Sequence, residues 1–144
     1  MRNLEQWLNA YAESHTHKTN RKIHKVAVPG IYLSIVGLIW SIPPLVIGTI
    51  SINWVWLALF PVLMFYSVLS RSVLFQMALF SFACLAIITF MARMQWPVLT
   101  ISIALFVVLW VCQFIGHKIE GKKPSFFEDI LFLLIGPIWV FRQK

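Results

Sequence analysis

Charge is scarce in this chain. Of its 144 residues, 12% are charged and 60% hydrophobic, where ordinary soluble domains run at roughly 25% and 45–50%. A chain of that composition cannot cover itself with polar surface, which excludes a soluble globular domain; the same numbers exclude disorder. Cysteine is scarce too. Two residues cannot build a disulfide scaffold, and Cys84 and Cys112 both lie inside apolar runs, as small buried hydrophobes do. The first 25 residues are polar and hold no continuous apolar stretch, so no signal peptide is expected there.

The charges that are present sit at the two ends. Between residues 26 and 117 only Arg71 and Arg93 are charged; all others fall in 1–25 or 118–144. This is the layout of a polytopic membrane protein of 16.7 kDa. In a soluble protein the net charge of +7 would suggest nucleic acid. Here the cations flank apolar spans, where they orient the chain and meet anionic headgroups. No nucleic-acid-reading module is visible, so none is expected as a partner.

A span needs about 20 apolar residues. The runs 26–52, 54–70 and 72–92, and a fourth that follows Arg93 and Pro97 and ends near Gly116, predict an all-α, four-transmembrane-helix bundle with flanking interfacial helices. Pro43 and Pro44 break helices, so the first span can instead run from about Ile23 to Ile42. The expected organisation is a single membrane domain over 1–144: an amphipathic arm (1–25), four spans (26–116) and a tail (117–144). With four spans, Arg2, Lys18, Arg21, Lys22, Lys25, Arg71, Lys118, Lys122, Lys123, Arg142 and Lys144 share one side and Arg93 alone lies opposite. The positive-inside rule makes the shared side cytoplasmic, in the inner membrane of a bacterium or the endoplasmic reticulum of a eukaryote. Two segments are expected along the membrane surface. Leu4, Trp7, Leu8 and Tyr11 form one apolar face at helical spacing. Ser125-Phe-Phe-Glu128, directly after Pro124, has the form of a capping box. The next apolar run, Ile130 to Phe141 with Gly136 and Pro137, is too short to span and is expected to be interfacial or re-entrant.

All four histidines lie outside the apolar centre: His15, His17 and His24 before the first span, His117 at the end of the last. An even number of spans returns the chain to the same face, so topology gathers them at one interface. Gln113, His117 and Glu120 share a helix face if the last helix continues past Gly116, and Asn20 lies one turn before His24. Imidazole and carboxylate at such spacing suit iron, zinc or manganese. His15 and His24 would sit on opposite faces of a straight helix, so if both are ligands the chain must bend between them, with Thr16 to Thr19 the place for it. Two readings stand: interfacial histidines that snorkel, or a mononuclear metal site. A dinuclear site of the multi-histidine desaturase kind is excluded, because its HxxHH-like boxes are absent.

The segment Tyr11-x-x-Ser14-His15-x4-Asn20-x3-His24-x4-Pro29 resembles the amino-terminal signature of the Mpo1-like family, small membrane 2-hydroxy fatty acid dioxygenases. Gln113-Phe-Ile-Gly-His117-Lys-Ile-Glu120-Gly-Lys-Lys-Pro124-Ser resembles the family's second signature, and Gly136-Pro137 a weaker third. The resemblance implies an Fe(II)-dependent dioxygenase of fatty acid α-oxidation that shortens a 2-hydroxy fatty acid by one carbon with O2, zinc or manganese being the alternative metals. It implies His15, His24 and His117 as catalytic metal ligands, with Glu120 a fourth ligand or a supporting partner, and Asn20 and Gln113 in support. His17 falls where the family needs no histidine. Lys22, Lys25, Lys122 or Lys123 can steer the substrate carboxylate, although a solvated basic rim also accounts for them. The competing function is a non-catalytic lipid-binding or scaffold membrane protein, for which the histidines would be dispensable. A transporter is disfavoured because the middle of the membrane holds almost no ionisable group.

Overall fold

The computed structural model describes residues 2–142; Lys144, one of the tail cations, lies outside them. In chain order the elements are α1 (Leu4–Ala12), α2 (Lys18–Trp40), a hairpin of β1 (Leu45–Ile47) and β2 (Ile50–Ile52), α3 (Trp54–Leu69), α4 (Arg71–Arg93), α5 (Val98–Glu120), a 3₁₀ turn (Ser125–Phe127) and α6 (Phe132–Arg142). Three helices, α2, α4 and α5, are long and apolar enough to cross a membrane, each with 23 residues. At about 1.5 Å per residue each reaches ~35 Å, more than a ~30 Å hydrocarbon core. The α3 helix is apolar but shorter, with 16 residues.

The apolar run 26–52 is therefore not one span. Its helix ends at Trp40, and residues 45–52 form the antiparallel hairpin, with Val46 opposite Ser51. Pro43 and Pro44 are the cause: they lack an N–H, and proline pushes the residue before it out of the helical region. Asn53 ties the two ends of this excursion together. Its amide donates to the Trp40 carbonyl at 3.1 Å, while its Oδ1 accepts the Val55 N–H at 2.9 Å. One side chain thus satisfies the end of α2 and the start of α3.

The chain folds into two compact units, and their boundaries cut through α2 and α5. The unit from Leu33 to Leu105 has α3 packed on α4. Its interior is a stripe at helical spacing on α4 (Val73, Met77, Ser81, Cys84, Ile88, Met91) with Val55, Leu59 and Tyr66 of α3. The opposite faces are also apolar: Phe60, Met64, Val68, Phe75, Leu79, Phe82 and Phe90 are all exposed. Helices that are hydrophobic all round belong in lipid.

The other unit, up to Tyr32 and from Phe106 onward, carries the candidate site. Asn3 caps α1 in a reciprocal box with Gln6, at 2.8 and 2.9 Å. The apolar face expected to lie on the membrane is packed within the protein instead. Trp7 meets Phe132 edge to face at 5.0 Å between centroids, and Tyr11 lies 5.3 Å from Trp139, so α1 rests on α6. Phe132, Ile135 and Ile138 of α6 are fully buried. The capping box expected at Ser125 does not form. Pro124 precedes a 3₁₀ turn without a side-chain cap, the Ser125 hydroxyl bonds Ser14 at 2.6 Å, and Asp129 takes over by accepting the Leu131 N–H at 2.9 Å. Helix α5 does continue past Gly116 for a full turn. It stops at Gly121, whose φ of 77° admits few other residues and whose N–H returns to the His117 carbonyl at 3.0 Å.

Candidate metal centre

The break between α1 and α2 covers residues 13–17, slightly ahead of the expected bend. It puts His15 off the end of one helix and His24 on the second turn of the next. Each histidine bonds the carbonyl four residues before it: His15 Nδ1 to Tyr11 at 2.7 Å and His24 Nδ1 to Asn20 at 3.2 Å. His15 also stacks on Tyr11, with centroids 4.2 Å apart and planes 7° from parallel. From α5, His117 completes a group whose candidate ligand atoms all lie within 4.8 Å of one another. The three rings stand near right angles, at 75°, 79° and 88°. They are 2%, 1% and 5% exposed for His15, His24 and His117.

The hydrogen bonds show what this group could hold. A carbonyl oxygen only accepts, so Nδ1 carries the proton in both His15 and His24, and each neutral ring keeps its lone pair on Nε2. Those two Nε2 atoms face each other at 2.8 Å. Two lone pairs at that distance repel unless a cation lies between or beside them. A proton is the poorer choice, since burial pushes His15 down to about 4 from its ordinary 6.5, with His117 and Arg21 acting the same way against the Tyr11 carbonyl and Glu120. A metal ion fits. Two nitrogens each about 2.0–2.1 Å from one ion and at right angles lie ~2.9 Å apart, and a second nitrogen bonded to a backbone carbonyl is how metal-binding imidazoles are oriented. Nδ1 of His117 is buried, with the backbone of Lys122 near the ring.

Glu120 does not join the three histidines. Its carboxylate turns toward the α1–α2 connection, where it accepts from Thr16 Oγ1 at 2.6 Å, the His17 N–H at 2.7 Å and Asn20 Nδ2 at 3.2 Å. Asn20 is fully buried and also donates to the Ser14 carbonyl at 3.3 Å. Its Oδ1 has no hydrogen-bond partner and faces Gly116, where any β-carbon would collide with it. Gln113 is buried one turn before His117 with Oε1 unpartnered. His17 is exposed, outside the histidine group, and accepts the Thr19 N–H on Nδ1 at 3.1 Å.

The description of the 2-hydroxy-palmitic acid dioxygenase Mpo1-like family matches residues 1–143. The chain belongs to the Mpo1-like family. No curated protein and no solved structure matches it.

Around the histidines of this Mpo1-like chain lie residues that the sequence singled out for other reasons or not at all. Ser14 Oγ sits 3.0 Å from His15 Nδ1 and 2.6 Å from Ser125 Oγ, joining the His15 break to the segment after α5. Trp139 of α6 lies 5.1 Å from the His15 ring. Tyr11 and Trp139 were visible as an apolar face and an apolar run; that both press on a histidine is a product of the α1–α6 packing. Of the lysines, Lys22 and Lys25 are exposed on α2. Lys122 donates to the Glu13 carbonyl at 2.7 Å. With Lys123, Ser14, Ser125 and two carboxylates, Glu13 and Glu128, it lines a groove of about 470 Å³.

Proposed function

We propose that this chain is an Fe(II)-dependent 2-hydroxy fatty acid dioxygenase of fatty acid α-oxidation, shortening its substrate by one carbon with O2. The observation that carries this is the 2.8 Å contact of two carbonyl-oriented imidazoles, completed by His117, in a chain that the family covers almost end to end. His15, His24 and His117 would hold the metal as neutral donors, a ligand set that iron, zinc and manganese all accept. Bound there, iron would supply a Lewis-acid centre for the hydroxyl and carboxylate of the substrate and an electron route to O2.

The chain's own residues do the rest. Tyr11 and Asn20 fix the ring orientations through their carbonyls. Beyond His24 and before His117 the helices are apolar, so a fatty acid with its head at the histidines has its tail at membrane depth. Lys122 and Lys123 are the cations of the groove that Ser14 also lines, and they would draw in the carboxylate. Lys22 and Lys25 add to the basic rim. We place α3 as the fourth crossing, on its apolar surface, with both termini on the cytoplasmic side.

Anaerobic loading of purified protein with Fe(II), then addition of O2 and 2-hydroxypalmitic acid, tests the activity. Mass spectrometry should show the acid one carbon shorter, and His117→Ala should abolish it. Iron-loaded, folded protein that leaves the hydroxy acid untouched would overturn the proposal in favour of a non-catalytic role.

A further inference from the structure

Glu120 lies three residues after His117, a histidine of the site, on the same helix. Its spacing suggests a ligand; its contacts do not. Both carboxylate oxygens are engaged: Oε2 by the Thr16 hydroxyl, and Oε1 by the His17 N–H and the Asn20 amide. All three donors belong to the short stretch between His15 and His24. The His17 N–H is moreover one of the orphan donors at the start of α2, where a negative charge is favoured.

We infer that Glu120 is a positioning residue, a clamp that fastens the 16–20 segment to α5 and thereby sets His15 and His24 against His117. This rests on the reading of the three histidines as a metal site and deepens it. The mechanical logic is short. The final turn of α5 presents His117 and, three residues on, the anchor. The anchor holds Asn20, whose carbonyl orients His24, and Thr16, the residue after His15. With the anchor cut, His15 and His24 keep the Ser14–Ser125 and Lys122–Glu13 bonds to the segment after α5 but lose a tie to α5 itself, the helix that carries His117. These donors take three of the carboxylate's roughly four acceptor sites, and Glu120 lies outside the histidine group.

The test is Co(II) binding by full-length protein in detergent, measured by competition with a chromophoric chelator, with the visible spectrum recorded at saturation. Four proteins are compared: parent, Glu120→Ala, Glu120→Gln and Thr16→Val. A clamp predicts that Glu120→Ala binds Co(II) roughly 10–100-fold more weakly, the range for groups that orient ligands rather than bind metal. Thr16→Val should weaken binding in the same direction by a smaller factor. Glu120→Gln keeps an acceptor oxygen for His17 and Asn20 and should recover most of the affinity. All four spectra should superimpose at saturation, because the donor atoms are unchanged. In a fifth protein, carrying both Thr16→Val and Glu120→Ala, Thr16→Val should add little to Glu120→Ala, since both cut the same tie.

Two results would overturn the clamp. One is Glu120→Gln losing as much as Glu120→Ala with a changed saturated spectrum, which makes the carboxylate a ligand. The other is Glu120→Ala binding as tightly as the parent. If Glu120→Ala does not fold, Thr16→Val and Glu120→Gln decide by themselves: parent-like affinity in Thr16→Val, or a changed spectrum in Glu120→Gln, sinks the idea. A parent that binds Co(II) but leaves the hydroxy acid intact when loaded with Fe(II) removes the catalytic reading and not the clamp. A parent that takes up no Co(II) removes both.

Discussion

At the scale of single residues, the site depends on which nitrogen of each imidazole carries the proton. Tyr11 and Asn20 impose that choice on His15 and His24, and the resulting opposition of lone pairs is what lets the group hold a metal. We expect His15→Ala, His24→Ala and His117→Ala each to lose stoichiometric metal, read by elemental analysis of folded, purified protein. His17→Ala should keep it, because its ring serves only the Thr19 N–H; it should cost about 1 kcal/mol of stability, as the loss of a helix cap does. Retention of metal by the His117 variant would disprove the site. Part of this could be read from the sequence: an even span count brings all four histidines to one face, and the family resemblance is what leaves His17 out. For Glu120 the sequence left two roles open, a fourth ligand or a supporting partner. Spacing of i and i+3 puts two side chains on one side of a helix but does not say whether a carboxylate turns toward its neighbour or toward a passing loop. Thr16, His17 and Asn20 supplied three donors there, and no single-helix pattern contains them.

At the scale of elements, local signals held where nothing competed and failed where a tertiary partner did. Asn3 and Asn53 cap helices as their side chains allow. Ser125 had an equally good local motif, but its hydroxyl is taken by Ser14 across 111 positions of sequence. The amphipathic face of α1 told that something apolar must cover it and could not tell lipid from α6. Close approach of α2 and α5 gives a sharp prediction. A β-carbon at Gly116 would strike Asn20 Oδ1, and Asn20 is tied down by Glu120 and Ser14. A β-carbon at Gly30 would meet only the end of the Leu109 side chain, which can rotate away. Gly116→Ala should therefore lose about 1–3 kcal/mol by overpacking and weaken metal binding as well. Gly30→Ala should change both less. Thermal unfolding and Co(II) titration of the two variants give the comparison, and equal behaviour would show that Asn20 is not held as described. Trp7→Ala should cost about 3–5 kcal/mol, the range for deleting a buried tryptophan, since it removes the main contact of α1 with α6; denaturant unfolding measures it.

At the scale of the whole molecule, the scarcity of charge and the exposed apolar faces of α3, α4 and α5 say the same thing by different routes: the outer surface is built for lipid. Three helices have the length to cross. The fourth crossing turns on α3, whose 16 residues reach only ~24 Å. Composition could not settle this, because Pro43 and Pro44 divert part of the first apolar run into a hairpin and leave the next helix short. Helix α6, with 11 residues, reaches ~17 Å and buries its apolar face within its own unit, so it has neither the length nor the free surface to cross. Single cysteines placed in a background lacking Cys84 and Cys112, and probed with a membrane-impermeant reagent, decide the path. Asn9, Ser51, Ser72, Gln95 and Lys123 suit this because all are exposed. Four crossings require Asn9, Ser72 and Lys123 to label from one side and Ser51 and Gln95 from the other. If α3 does not cross, Ser72 labels with Ser51, and Lys123 moves to the side opposite Asn9. That second outcome would also contradict the histidine cluster, since His117, six residues before Lys123, could not then meet His15 on the side of Asn9.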